Sequence, residues 1–138
     1  MINPNTESPV GGGEAELARS ELRYRRLFEA ARDGVLLLDP QSRQIIAANP
    51  YMSEMLGYSR TELIGKELYE IGLLKDEAAS RVAFTELQEK GYIRYEDLPL
   101  ETKTGEKREV EFVSNLYPEG AHEVIQSDIR DITLRNRM

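Results

Sequence analysis

The chain has 138 residues, 40% hydrophobic and 31% charged, which supports one folded domain with a single core and excludes a disordered chain. Its 25 acidic and 18 basic side chains leave a net charge of -7, a balance that disfavours nucleic acid, whose phosphates a binder must neutralise with lysine and arginine. With no cysteine, disulfides, thiolate metal sites, thiol nucleophiles and cofactors attached through sulfur are all excluded.

Residues 1–13 combine Pro4, Pro9 and three consecutive glycines with small polar residues, and read as a disordered linker or expression remnant. Residues 14–32 form an amphipathic helix in which Leu17, Tyr24 and Ala31 recur on one stripe with Leu27 and Phe28. That stripe packs on its own domain or meets a second copy of the chain. Leu17, Tyr24 and Phe28 are the candidate contacts of such a homodimer. Asp33 and Gly34 stop the helix.

Val35 to Asp39 is a short apolar strand, Pro40 to Ser42 a turn, and Gln44 to Ala48 a second strand. Asn49 is placed to cap a helix that begins at Pro50, shows Met52, Met55 and Leu56 on one side, and ends at Gly57. Ser59 with Glu62 forms a capping-box pattern for another short helix, closed by Gly65. Asp76 caps a longer helix through Lys90, with Ala79, Val82, Ala83 and Leu87 on its apolar side and Gly91 as its stop. Beyond it the period changes to two. Leu98 and Leu100 alternate with charge, Thr102 to Glu106 turns, and Val110, Phe112 and Leu116 alternate with Glu109, Glu111 and Asn115. After a turn at Pro118 to Gly120, Glu123 to Ile132 supplies a last strand, and Thr133 to Met138 begins a polar helix.

This order of elements resembles the PAS domain family. Tyr24 to Ala30 followed by Asp33-Gly34-Val35 looks like the family's entry, and Ala48 to Ser59 with Glu62 to Lys66 resembles its most recognisable stretch. Lys103 to Glu106 resembles the usual Gly-containing turn, and Asp128 to Thr133 the exit joining the last strand to an output helix. The resemblance implies an α+β fold for residues 33–133: a five-stranded antiparallel sheet, order 2-1-5-4-3, with short helices over one face, a flanking helix before it and an output helix starting at 134–138. It also implies a sensory domain of a larger signalling protein, most often a prokaryotic histidine kinase, that binds a small ligand non-covalently and relays to an output domain. The alternative within the same family is a ligand-free dimerisation and docking module.

In that family a ligand cavity lies between the inner sheet face and the helices. Its candidate lining here is Leu36, Met52, Met55, Leu56, Leu63, Val82, Leu98, Leu100, Val110 and Phe112, nearly all equally well explained as core, with the flexible Met52 and Met55 the more suggestive pair. By the same resemblance Asp131 and Thr133 fix the signal exit, though a turn cap also explains the aspartate. No cofactor is identifiable. Haem is disfavoured because the long helix carries no histidine, and covalent flavin or chromophore chemistry because there is no cysteine. The lone histidine, His122, falls in the turn between the last two strands and reads as solvated, so no metal is expected. One histidine, no cysteine and no Gly-x-Ser-x-Gly elbow leave the common hydrolytic constellations unbuildable, so the domain is expected to be non-catalytic. No apolar run exceeds four residues, against the ~20 needed to span a bilayer. A cytoplasmic location without direct membrane insertion is expected, the parent being soluble or anchored elsewhere.

Overall fold

The computed structural model describes residues 19, 22–23 and 25–133. Two units are distinguished, with the boundary between Ala30 and Ala31. In the first, residues 25–30 are helical and carry Phe28. The expected linker, Leu17, Tyr24 and the output-helix residues 134–138 lie outside the described residues.

The second unit runs β1 (Gly34–Leu38), β2 (Ile45–Ala48), α1 (Pro50–Leu56), α2 (Arg60–Leu63), a 3-10 turn (Leu68–Ile71), α3 (Glu77–Lys90), β3 (Tyr92–Glu101), β4 (Lys107–Glu119) and β5 (His122–Asp131). The strands form one antiparallel sheet in the order β2-β1-β5-β4-β3. Inward residues of the strands, among them Leu36, Leu38, Val110, Phe112, Ile125 and Ile129, are buried in one core with Met52, Leu56, Leu63 and Leu87 of the helices.

Local chemistry sets the helix ends. Asn49 Oδ1 accepts from the Met52 N–H at 3.1 Å, and Pro50 opens α1 without an N–H to satisfy. Ser59 and Glu62 exchange both bonds of a capping box, 3.2 and 2.9 Å. Asp76 accepts from the Ala79 N–H at 2.9 Å, and the Gly91 N–H closes α3 on the Leu87 carbonyl at 2.8 Å.

The structure departs from the sequence reading at three places. The buried stripe of α3 is Ser80, Ala83, Phe84 and Leu87, while Val82 is 68% exposed. Val82 is therefore not a pocket residue: at 100° per residue the inward face is centred on positions 80, 83, 84 and 87, and Val82 lies off it. Second, β3 starts at Tyr92, well before Leu98, and a bulge between Tyr95 and Leu98 sets three steps of β3 against two of β4. The inward phase switches there, from Ile93 and Tyr95 to Leu98 and Leu100, so no single alternation runs through the strand. Third, His122 is the first residue of β5, opposite Glu119, and is exposed.

Candidate functional site

Three places in the second unit combine polar side chains with backbone constraint. The first is the wall of α1 on β1. Asn49 is fully buried; besides capping α1, its Oδ1 accepts from the Val35 N–H at 2.9 Å and its Nδ2 donates to the Asp33 carbonyl at 3.0 Å. One amide thereby ties the start of β1 to the start of α1. The turn between β3 and β4 is pinned to the far end of the same helical segment. The Lys103 N–H donates to the Leu56 carbonyl at 2.9 Å, while its ammonium bonds Glu62 at 2.8 Å and sits 5.7 Å from the Tyr58 ring centroid.

The second place is the interior beneath α3. Leu36, Met52, Met55, Leu56, Leu63, Leu100, Val110 and Phe112 are brought together here as buried core; Leu98 is half-buried at its edge. A cavity of about 10 Å³ remains, lined by Leu68, Phe84, Leu87, Ile93, Phe112 and Ser114 with Ala83. Of the sequence candidates only Phe112 borders it. Phe112 is overlaid by Tyr95, ring centroids 6.0 Å apart and nearly parallel at 15°. Next to it, Ser114 and Ser127 oppose each other on β4 and β5 and share a hydrogen bond of 2.5 Å inside the core. Ser80 Oγ is also buried, with no hydrogen-bond partner among the described residues. Ser114 and Ser127 escape a reading by hydrophobic period, since a hydroxyl in a strand gives no apolar signal; their inward parity with Phe112 and Ile129 was the signal available.

The third place is the end of the sheet where the chain leaves β5. Asp131 Oδ2 accepts from Arg108 Nη1 at 2.8 Å, and Oδ1 accepts from the Thr133 N–H at 2.9 Å. The Thr133 hydroxyl in turn accepts from the Glu109 N–H at 2.8 Å, and the Ile132 N–H donates to the Glu109 carbonyl at 2.8 Å. Arg108 also bonds Glu106 at 3.2 Å. Burial opposes ionisation of Asp131, but the Thr133 N–H and hydroxyl and the Arg108 guanidinium outweigh it and hold its carboxyl below the usual carboxylate value. The bond to Asp131, against some desolvation, pushes Arg108 further up. Asp131 and Thr133 are thus brought together. Arg108 was missed, because a cation in the charged run Glu106-Lys107-Arg108-Glu109 reads as one more solvated position.

No helix among the described residues is long and apolar enough to cross a membrane, and no group of three or more metal-ligating side chains stands together among them.

Comparison with known proteins follows the same outline. The family model for the PAS domain matches residues 22–89. The crystal structure of the PAS domain of an HTR-like protein from Haloarcula marismortui superposes with a TM-score of 0.75 at 21% identity, over 88% of this chain and 99% of that one. The chain belongs to the PAS domain family. A domain of the sensory box sensor histidine kinase/response regulator from Geobacter sulfurreducens gives a TM-score of 0.72 at 25% identity, over 83% and 96% of the two chains. Sporulation kinase E of Bacillus subtilis (strain 168) is 35% identical over 105 residues, 72% of this chain. The PAS domain described here spans 13% of that kinase's length. In this PAS domain the sheet order and the helices take the form the sequence resemblance implied.

Proposed function

We propose that this PAS domain is the sensory module of a larger signalling protein, a histidine kinase of the two-component kind, which takes up a small ligand non-covalently and relays its presence to an output domain. The observation that carries the reading is the bracing at the sheet's end. Asp131 and Thr133 fasten the departing chain to two neighbouring positions of β4, Arg108 and Glu109, so the direction of whatever follows is set by the relative position of β4 and β5. A shift of either strand has two discrete consequences there, bonds kept or bonds broken, which is what a relay requires. The relatives' occurrence in sporulation and sensor kinases supports the output assignment, and a cytoplasmic placement accords with it.

The test is Asp131→Ala in the full-length parent, read as kinase output against stimulus. The expected outcome is an output uncoupled from stimulus in a domain that still melts cooperatively; an unchanged response curve would overturn the proposal.

One observation favours a second reading. The interior cavity of about 10 Å³ holds no more than a single water-sized occupant as it stands, which suits a ligand-free dimerisation and docking module. Native mass spectrometry separates the two: a co-purified bound mass supports the sensor, and a clean apo mass at every concentration of added candidate supports docking.

A further inference from the structure

Phe84 borders two spaces at once. Its inner side lines the small cavity against Leu87, Ile93, Phe112 and Ser114. Its outer side lines a surface groove of about 420 Å³ between the turn that joins β1 to β2 and α3, bounded by Pro40, Arg43, Arg81, Thr85 and Gln88. Phe84 is only 7% exposed and stands between the two spaces.

We propose that Phe84 is a gate between groove and interior, and that what it admits is a short-chain monocarboxylate, seated with its alkyl chain inside and its carboxylate at Arg43 and Arg81. This rests on the ligand-binding reading above and specifies its ligand. The donors come from two elements. Arg43 spends Nε on Glu67 at 3.0 Å and Arg81 spends Nη2 on Glu77 at 3.0 Å, which leaves the other N–H groups of both guanidiniums without a side-chain partner among the described residues. Arg43 is also the single non-glycine residue with a positive φ among those described, 63°. An L-residue takes up that conformation at a cost, and here it is held by the Arg43 N–H on the Asp39 carbonyl at 2.8 Å and by Asp39 Oδ2 on the Ser42 N–H at 2.7 Å. The turn thus places a guanidinium at the groove's edge by over-determining its backbone.

The ligand's chemistry follows from what each side rejects. A long chain has nowhere to go, because the interior gains room only by the ring turning outward into the groove. A second carboxylate would be carried among Leu87, Ile93 and Phe112 without a counter-charge, a large desolvation cost. A wholly apolar molecule would leave the arginines unused. Each arginine is already paired with its own glutamate, so recognition is by directional N–H donors rather than by net positive potential, and affinity is modest.

The experiment is titration of the whole chain with hexanoate, and in parallel with hexanol, by calorimetry and by NMR exchange broadening. Wild type is expected to bind hexanoate saturably and more tightly than hexanol. Arg81→Gln is expected to weaken hexanoate roughly fivefold while leaving hexanol unchanged. Phe84→Trp is expected to slow entry and Phe84→Ala to speed it, with Phe84→Leu standing in if the alanine variant does not fold. Equal affinity for acid and alcohol, or entry indifferent to residue 84, overturns the gate and the ligand class while leaving a ligand-binding sensor standing. Absence of binding of either probe to wild type and to Phe84→Leu, together with a clean apo mass, overturns this inference and the ligand reading beneath it.

Discussion

The wall that α1 builds on β1 and the wall that α3 builds on β3 and β4 enclose the same core by different means. On the first, the Asn49 amide makes three hydrogen bonds, and Met52 sits so near Gly34 that an added Cβ would lie 2.5 Å from its sulfur. On the second there is a bulged strand, a cavity of about 10 Å³, a buried serine hydroxyl without a partner among the described residues and an aromatic ring shared with a surface groove. The tight wall fixes geometry, and the slack one can change shape. Local stability in a folded domain is uneven, and elements that move on binding come from its lower end.

Four measurements test that contrast, the largest expected effect first. Asn49→Ala removes a cap and strands the buried Val35 N–H, and should cost about 3 kcal/mol of unfolding free energy in urea titration. A loss as small as that of an ordinary surface substitution would break the comparison at its firm end. Gly72 ties the start of the slack wall to the end of β3: its carbonyl accepts from the Glu101 N–H at 3.1 Å, its φ is 87°, and an added Cβ would meet the Glu101 oxygen at 2.2 Å. Gly65 has the same handedness, φ 88°, with nothing within 4 Å. Gly72→Ala should therefore cost about 2 to 3 kcal/mol against about 1 for Gly65→Ala, the difference being steric and the common part conformational. Equal melting temperatures for the two variants would show that the junction is as yielding as the helix above it.

Ser80→Ala sharpens the contrast in the other sense. Because its hydroxyl is buried without a partner, removing it should change stability by no more than about 0.5 kcal/mol or raise it slightly. A loss near that of Asn49→Ala would mean the slack wall is not slack.

An effect of similarly small size belongs to the exit. A carboxyl whose folded value lies below its unfolded value of about 3.9 contributes stability above that pH and loses it as the pH falls through the folded value. Wild type should accordingly exceed Asp131→Asn by a constant margin at neutral pH, about 1 kcal/mol for a pair that is only partly buried, and the margin should close in strong acid. A margin that grows on acidification would refute the ionised, Arg108-bonded aspartate.

Most of the framework was legible because it is written in short-range chemistry. Asn49-Pro50, Ser59 with Glu62, and Asp76 with Gly91 announce their helix ends through caps that need only neighbours within four residues. Asp131 and Thr133 were named through the family resemblance, and the bond between them spans a single residue. What escaped depends on partners distant in sequence. Arg108 meets Asp131 from 23 positions away, and Ser114 meets Ser127 across two strands. On α3, Val82 and Phe84 are both apolar and lie on different faces; only the packing of the helix on β3 and β4 selects Phe84. The bulge in β3 defeats a period of two by changing its phase midway, which is why Ile93 and Tyr95 did not register beside Leu98 and Leu100.

That bulge also governs what can join the sheet. β3 is ten residues long and lies at an outer edge, where a straight, apolar strand would template addition of a foreign one. The irregularity falls at Glu96 and Asp97, Pro99 follows two residues on with no N–H to offer, and the opposite edge, β2, has only four residues. Neither border invites polymerisation. Copies of this domain at high concentration are therefore kept from zipping edge to edge, and any specific association between them is left to faces and helices.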